Sequence, residues 1–236
     1  MVPDPRTETD AGRSSPGCTG TGLTRRRVLR LGAATVVGSV AGCSSGDQTR
    51  TIDHPAAADL GDQPRLGPPP SESDATVIVF EDPSCPVCRA FEERTVPKLR
   101  ANLIDAGQVT FYAREYPIVA PWGTLGSRLL EAVYDRSEEA FWRVRADYFD
   151  HQEEIRSNNL YDHTRRYLED TAVDADAVVE AVQGGGYRGA VQADVRAAKN
   201  ADVKGTPTLF LFESGEYLTD IVGAPSYTLL ENALGY

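Results

Sequence analysis

The sequence predicts an α/β fold whose mixed sheet is assembled from a βαβ half and a ββα half, with a helical insertion between them. Three observations predict it. Two strand-like apolar runs, at residues 76–80 and 109–113, flank a helical pattern. Amphipathic helical patterns then fill about residues 120–200. Two further strand-like runs, at 208–212 and 217–222, precede a last helix.

The first half begins with Thr76 to Phe80, whose uninterrupted apolar character indicates a buried strand. A helix is predicted from about Pro86 to Ala106. Pro97 should kink it, because the proline ring removes a backbone hydrogen bond. The turn signal Ala106-Gly107 then leads into the second strand.

The insertion contains several amphipathic stretches, and a final ββα unit follows it. The predicted helices of the insertion lie near residues 125–134, 141–149, 160–169, 174–182 and 191–198. The sequence Glu213-Ser214-Gly215-Glu216 predicts a hairpin turn between two strands. A helix from about Tyr227 to Leu234 completes the pattern.

The amino-terminal 42 residues have the features of an export signal. Arg25 and Arg26 open a basic stretch that resembles a twin-arginine signal, and a short apolar run ends at Gly42. That run is too short to span a bilayer. Val40-Ala41-Gly42-Cys43 resembles a lipobox, which predicts lipidation of Cys43. We therefore expect an exported protein anchored to the outer face of the cytoplasmic membrane.

Residues 43–74 are rich in Ser, Gly, Pro, Asp and Ala and lack apolar periodicity, which predicts a disordered tether before a domain at 75–236. Loss of residues 1–42 removes six of the 24 basic and three of the 35 acidic residues, so the net charge changes from −11 to −14. Nucleic acid is therefore an unsuitable partner. The scarcity of lysine beside many acids resembles the composition of haloarchaeal proteins, and an ordinary acidic surface is the alternative.

Cys85 and Cys88 are the only cysteines that the predicted domain retains. A disulfide across two residues closes almost no loop, so it would add little to the stability of the folded domain. In an oxidising compartment the pair is better explained as a reversible redox centre. Cys85 lies where the first strand leads into a helix. The unpaired amide groups and the macrodipole of a helix N-terminus favour an anion there, and the thiolate is the nucleophilic form of cysteine.

Three stretches together resemble the DsbA-like thiol-disulfide oxidoreductases of the thioredoxin fold. They are Cys85-Pro86-Val87-Cys88 after a strand, Arg114-Glu115-Tyr116-Pro117-Ile118 before the insertion, and Val203-Lys204-Gly205-Thr206-Pro207-Thr208 before the hairpin. The resemblance implies a thioredoxin-like fold and a dithiol-disulfide oxidoreductase. It also implies a cis peptide bond at Pro207, after Thr206, in a loop that meets the extended protein substrate.

The resemblance assigns Cys85 as the exposed thiolate nucleophile and Cys88 as the buried resolving cysteine. Pro86-Val87 places no charged or imidazole side chain beside the thiolate, so we expect an intermediate reduction potential. Relatives often carry a buried, proton-relaying carboxylate six residues before the first cysteine, where this chain has Val79. Glu81 and Asp82 are the substitute relay candidates, and solvated surface charges are the alternative.

Two other functions compete with redox exchange. A cysteine pair with a histidine could bind copper or zinc for delivery, but His54, His151 and His163 show no local ligand spacing, so we expect no metal site and no cofactor. A non-catalytic binding module would need neither thiol. The expected partners are cysteine-containing exported proteins, an unidentified membrane redox partner and, through the lipid, the membrane. We expect a monomer, and oxidase, reductase and isomerase directions stay open.

Overall fold

The computed structural model describes residues 51–236. The predictions for Arg25, Arg26 and Cys43, and for the start of the tether, concern residues outside this range. The sheet consists of β1 (Arg65–Leu66), β2 (Ala75–Glu81), β3 (Val109–Glu115), β4 (Thr208–Glu213) and β5 (Glu216–Val222). The helices are α1 (Pro86–Arg94), α2 (Val96–Leu99), α3 (Gly123–Tyr134), α4 (Glu138–Asp150), α5 (Leu160–Leu168), α6 (Ala175–Gln183), α7 (Arg188–Asn200) and α8 (Tyr227–Ala233).

The five strands form one mixed sheet in the order β1-β3-β2-β4-β5. Strands β2 and β3 are parallel, and β4 runs antiparallel to β2, as does β5 to β4. The hairpin turns at Ser214 and Gly215, both with positive φ. This confirms the predicted α/β fold of βαβ and ββα halves around the helical insertion.

The sheet has a hydrophobic core on each face, which explains the continuous apolar pattern of β2. Val77 and Val79 face the larger core, where Phe91 of α1 and the helices of the insertion pack. Ile78 and Phe80 face the smaller core with α7. All seven residues of β2 are buried, so alternation between polar and apolar positions is absent.

The helix predicted from Pro86 to Ala106 is broken where proline requires it. Helix α1 ends at Arg94, α2 begins at Val96, and Pro97 occupies the first turn of α2, where its missing N–H costs nothing. A π-helical segment, Arg100–Ile104, completes the stretch. The kink is confirmed, although it lies just before the proline.

The prediction of a disordered tether is wrong for residues 51–74. Pro55–Ala57 and Leu60–Asp62 form short 3₁₀ helices, and β1 pairs antiparallel with β3. Ala56 is fully buried in the smaller core. The composition of this segment suggested that it has too little apolar surface to fold. Its small alanine side chains nevertheless pack into the smaller core, which the sheet and α7 already form.

A buried ion pair holds this amino-terminal arm, residues 51–66, in place. The Arg114 guanidinium on β3 donates to Asp194 Oδ1 of α7 at 2.9 Å and to the carbonyls of Ala56 and Ala58 at 2.8 and 2.6 Å. Gln63 donates to the same Asp194 oxygen at 2.9 Å. The arm is therefore attached through its backbone, which side-chain periodicity does not reveal.

The insertion is a packed layer of amphipathic helices on the larger core. Its helices begin and end within a few residues of the predicted stretches. Among residues 51–236, no helix has the length and apolar character needed to cross a bilayer.

Candidate active site

The two cysteines lie at the start of α1, directly after the loop that follows β2. Cys85 is the N-cap residue of α1, with extended backbone angles, and its Sγ accepts the Cys88 N–H at 3.4 Å. Pro86 occupies the first helical position, where no donor is required. Both cysteines are free thiols. The strand-to-helix position predicted for Cys85 is confirmed.

The cysteine loop and the Thr206-Pro207 loop meet because of the sheet topology. The first follows the end of β2 and the second precedes the start of β4, and these strands are antiparallel neighbours. The Thr206-Pro207 peptide bond is cis, as predicted. The Cys85 thiol donates to the Thr206 carbonyl at 3.3 Å. A residue 121 positions later in the chain therefore contacts the sulfur.

The environment stabilises the thiolate of Cys85. The pKa of Cys85 falls from 9.0 to about 6, first because the Cys88 thiol donates a hydrogen bond to it. Burial opposes this change, while the Thr206 side chain and the N–H groups of Cys88 and Val87 support it. At neutral pH the sulfur is mostly in its nucleophilic form.

Cys88 has the opposite protonation preference. Burial raises the pKa of Cys88 far above its usual value, and the hydrogen bond to Cys85 and the charge of Glu81 raise it further. Cys88 is completely inaccessible to solvent. The pair thus contains one thiolate and one thiol, an arrangement suited to directional exchange.

Cys85 is less accessible than expected, since only 3% of its surface is exposed. Phe149 of α4 forms a buried cluster with the two cysteines. Gln152, just after α4, donates to the carbonyls of Pro83 and Cys85 at 2.8 and 3.1 Å. The insertion therefore forms one wall of the site. Sequence reasoning missed these residues, although Arg145, Phe149 and Gln152 recur at the spacing of one helix face.

Asp82 anchors two loops. Its Oδ1 accepts the N–H and hydroxyl of Ser84 at 2.8 and 2.5 Å, and its Oδ2 accepts the N–H groups of Ile118 and Val119 at 2.7 and 2.6 Å. A side chain at Gly123 would come within 2.5 Å of Oδ1. With both oxygens occupied by fixed donors, Asp82 is a poor relay, and it is not a solvated surface charge either.

Glu81 is the other relay candidate and lies in a different environment. It is the last residue of β2, it is buried, and its Oε2 accepts a hydrogen bond from Arg145 of α4. Arg145 also contacts Glu92 Oε2 at 2.9 Å, and Glu115 neighbours Glu81 on β3. Burial raises the pKa of Glu81 well above its ordinary value. Burial likewise raises the pKa of Glu115 to about 7.

The histidines lie apart from the thiols. His54 stacks on Tyr217 with a centroid distance of 4.9 Å, and His151 and His163 both pack against Tyr167. Within the described part of the chain, no three His, Cys, Asp or Glu side chains converge as a metal ion would require.

Comparison with known proteins gives one family and several relatives. A family described as Thioredoxin matches residues 62–214. A probable disulfide bond formation protein D of Bacillus cereus is 23% identical over 145 residues, covering 59% of this chain and 66% of the relative. A protein of Salinispora tropica named as Na(+)/H(+) antiporter NhaA 3 is 31% identical over 144 residues, covering 60% of this chain and 21% of that protein. The match thus spans just under two thirds of the Bacillus cereus protein and about a fifth of the Salinispora tropica protein.

Solved structures support the fold. A double variant of alpha-DsbA1 from Wolbachia pipientis aligns with a TM-score of 0.64 at 19% identity, covering 76% of this chain and 92% of that one. With the family match over residues 62–214 and the observed order of strands and helices, this similarity confirms the expected thioredoxin-like fold with its helical insertion.

Proposed function

We propose, from the premise that this chain belongs to the thioredoxin family, that it is an extracytoplasmic dithiol-disulfide oxidoreductase acting on cysteine-containing proteins through Cys85 and Cys88. Relatives named disulfide bond formation protein D support the reaction class. The observation that carries the proposal is the placement of two free thiols at one helix N-terminus, where Cys85 Sγ accepts the Cys88 N–H at 3.4 Å and lies beside the cis-Pro207 loop. The opposite directions of the two thiol pKa values agree with this placement.

The exchange follows from this tuning. In the oxidising direction, a substrate thiolate attacks Cys85 Sγ of the Cys85–Cys88 disulfide, and Cys88 leaves with the electron pair of the broken bond. The second substrate thiolate then attacks the substrate sulfur of the mixed disulfide. Cys85 leaves as its stabilised thiolate, the substrate gains a disulfide, and the protein holds the dithiol. The low pKa of Cys85 makes it the better leaving group.

The surface beside Cys85 suits an extended polypeptide. Val87, Ile118 and Val119 are exposed by 46%, 50% and 52%. A cavity of about 480 Å³ is lined by residues 120–122, which directly follow Val119 in the chain, and by residues 156–158. The Ala120 N–H donates to Ser84 Oγ at 3.0 Å, which ties the cavity rim to the cysteine loop. We propose that unfolded segments of exported proteins pass over this surface.

Trapping of the mixed disulfide tests the proposal. A domain of residues 51–236 with Cys88→Ser is incubated with a reduced, unfolded secretory protein and an oxidant. Mass spectrometry should find the substrate attached to Cys85, since no resolving thiol remains. Cys85→Ser is the matched control and should trap nothing. The proposed oxidoreductase function is wrong if no adduct forms and the wild-type thiols also fail to exchange with glutathione.

We also propose export and lipid anchoring, based on the twin-arginine-like Arg25 and Arg26 and the lipobox-like stretch ending at Cys43. Ala56, which is buried in the smaller core, is only thirteen positions beyond Cys43, so the domain would act close to the membrane. We propose that it acts there as a monomer recycled by a membrane redox partner. Replacement of Arg25 and Arg26 by lysine should retain the protein in the cytoplasm. Cys43→Ala should release it from the membrane fraction.

A further inference from the structure

We propose that Gln152 binds the protein substrate of Cys85, with its side-chain amide oxygen accepting a backbone N–H of the substrate segment. The nitrogen of the same amide holds the cysteine loop. The proposal rests on the thiol-disulfide exchange proposed above and names a substrate contact for it on the insertion side of the site. Because almost every residue of an unfolded segment has a backbone N–H, this contact recognises polypeptide of nearly any sequence.

The nitrogen of the Gln152 amide is fully used within the protein. Nε2 donates to the carbonyl of Pro83 at 2.8 Å and to the carbonyl of Cys85 at 3.1 Å. Both partners are carbonyl oxygens, which only accept, so the nitrogen must face them and the orientation of the amide is fixed. Neither hydrogen of the amide remains for a ligand.

The oxygen of the amide is free. Only 8% of the Gln152 surface is exposed, yet Oε1 accepts no hydrogen bond from the residues that the structure describes and is not enclosed. Gln63 shows the contrast, because its nitrogen binds Asp194 while its oxygen is enclosed without a donor. The small exposed part of Gln152 thus includes an acceptor, and the ligand that suits it is an N–H donor.

The free oxygen lies close to the sulfur that the substrate must reach. Nε2 is 3.1 Å from the Cys85 carbonyl oxygen, and bond lengths then place Oε1 within about 10 Å of Cys85 Sγ. The two Cα atoms of a disulfide lie about 4.4–6.8 Å apart, and successive Cα atoms about 3.8 Å apart. The N–H groups of the substrate cysteine and its nearest neighbours therefore come within reach of Oε1.

The insertion holds Gln152 in this place before any substrate arrives. The Gln152 N–H donates to the carbonyl of Phe149 at 3.3 Å. Phe149 in turn forms a buried cluster with the two cysteines. An acceptor that is already fixed loses little conformational freedom on binding, so its hydrogen bond contributes more fully to affinity.

Two substitutions separate the two ends of the amide. Gln152→Lys keeps a donor for the two carbonyls and removes the acceptor, whereas Gln152→Glu keeps acceptor oxygens and removes the donor. Gln192→Lys adds the same charge as Gln152→Lys at an exposed position of α7 and is the matched control. All variants carry Cys88→Ser in the full-length protein, so that an adduct on Cys85 persists.

Two symmetric disulfides measure the contact. One is the disulfide of 2-mercaptoethanol, which has no N–H, and the other is the disulfide-linked dimer of a blocked pentapeptide with one central cysteine. The Cys85 thiolate attacks one sulfur, a mixed disulfide forms, and the original sulfur–sulfur bond breaks with its electron pair leaving on the released thiolate. Rapid acid quenching and mass spectrometry give both rate constants. Their ratio cancels changes in the reactivity of Cys85 itself.

The ratio of the peptide rate to the mercaptoethanol rate should fall by about 3- to 10-fold in Gln152→Lys, the effect of one neutral hydrogen bond. Gln192→Lys should keep the wild-type ratio. Gln152→Glu should slow both reactions alike, because the cysteine loop loses its donor while an acceptor remains, and its ratio should stay near that of the wild-type side chain.

Methylation of the peptide backbone identifies the donor. An N-methyl group at the cysteine, or at either neighbour, removes one N–H at a time. At one of these positions methylation should slow the reaction about 3- to 10-fold more with glutamine at position 152 than with lysine, since the two changes remove the same hydrogen bond.

An unchanged ratio in Gln152→Lys, or methylation effects of equal size in the two proteins, would show that Gln152 does not contact the substrate, and the proposal would be wrong. If a melting curve shows that Gln152→Lys does not fold, Gln152→Met takes its place in the methylation comparison. Absence of an adduct with either disulfide, even with glutamine at position 152, contradicts the exchange function itself.

Discussion

Removal of the Cys88 thiol should raise the pKa of Cys85, because that thiol is the strongest of the groups stabilising the Cys85 thiolate. A hydrogen bond to a charged group contributes about 1.5–3 kcal/mol. Since one pKa unit corresponds to about 1.4 kcal/mol, Cys88→Ala should raise the pKa by about 1 to 2. The backbone N–H of residue 88 remains in place, 3.4 Å from the sulfur, so the pKa should stay below 9.0.

The change is large enough to measure at neutral pH. With a pKa of about 6, about 90% of Cys85 is thiolate at pH 7, and a rise of about 1 to 2 lowers this to roughly 10–50%. The midpoint is measured by thiolate absorbance near 240 nm and by the pH dependence of iodoacetamide alkylation. Alkylation rates alone understate the effect, because intrinsic nucleophilicity falls as the pKa falls.

Cys88→Ser is the matched control, since its hydroxyl still donates to the sulfur. Its midpoint should lie below that of Cys88→Ala and close to the wild-type value. Equal midpoints in the two variants, or no increase in Cys88→Ala, would refute the assignment of the thiol hydrogen bond as the main cause. The thiolate would then depend on the helix N-terminus and the neighbouring amides alone.

Three further predictions concern buried polar groups. Because burial raises the pKa of Glu115 to about 7, its protonated form stabilises the folded state below pH 4.5, and about 3 kcal/mol of this stability is lost as pH rises through 7. Glu115→Gln should therefore flatten the pH dependence of the free energy of unfolding. Urea unfolding at pH 5 and 8 measures this dependence, and a wild-type dependence in the variant would contradict the prediction. Asp82→Ala should lower the free energy of unfolding by about 3–5 kcal/mol and slow glutathione exchange, because it leaves the N–H groups of Ile118 and Val119 unpaired. Asp82→Asn keeps an acceptor oxygen and should lose less stability, so equal losses in the two variants would argue against the loop-anchor role. Asp194→Ala should lower the free energy of unfolding by about 3–5 kcal/mol, because it leaves the Arg114 guanidinium buried without its carboxylate. Limited proteolysis should then cut within residues 51–66, and an arm that stays protected would show that the ion pair does not hold it.

Local patterns predicted the elements and the position of the thiols well. The apolar run at β2 and the CxxC pattern are contiguous, and a helix beginning at Pro86 needs no distant information. The cis bond at Pro207 was predicted from family resemblance and is present. The family position of the buried acid, Val79, is apolar and packed in the larger core, so the sequence alone correctly indicated that the acid is absent there.

Other features could not be predicted because they join distant segments. Asp82 looked like one more acid near the cysteines, but its role depends on amides 36 and 37 residues away. The arm looked disordered by composition, yet Arg114 binds its carbonyls. Backbone groups carry no sequence signal of this kind, and the cost of leaving them buried without partners decides where the arm lies.

The sequence by itself determined the strand order along the chain, the helix that begins at the cysteine pair, and the identity of the two thiols, because hydrophobic periodicity and capping act over a few residues. Only the tertiary structure decided how those thiols are tuned. Burial beneath α4, the Thr206 side chain and the charge of Glu81 set the protonation of Cys85 and Cys88. Desolvation and charge act through space, so they depend on which segments the fold brings together.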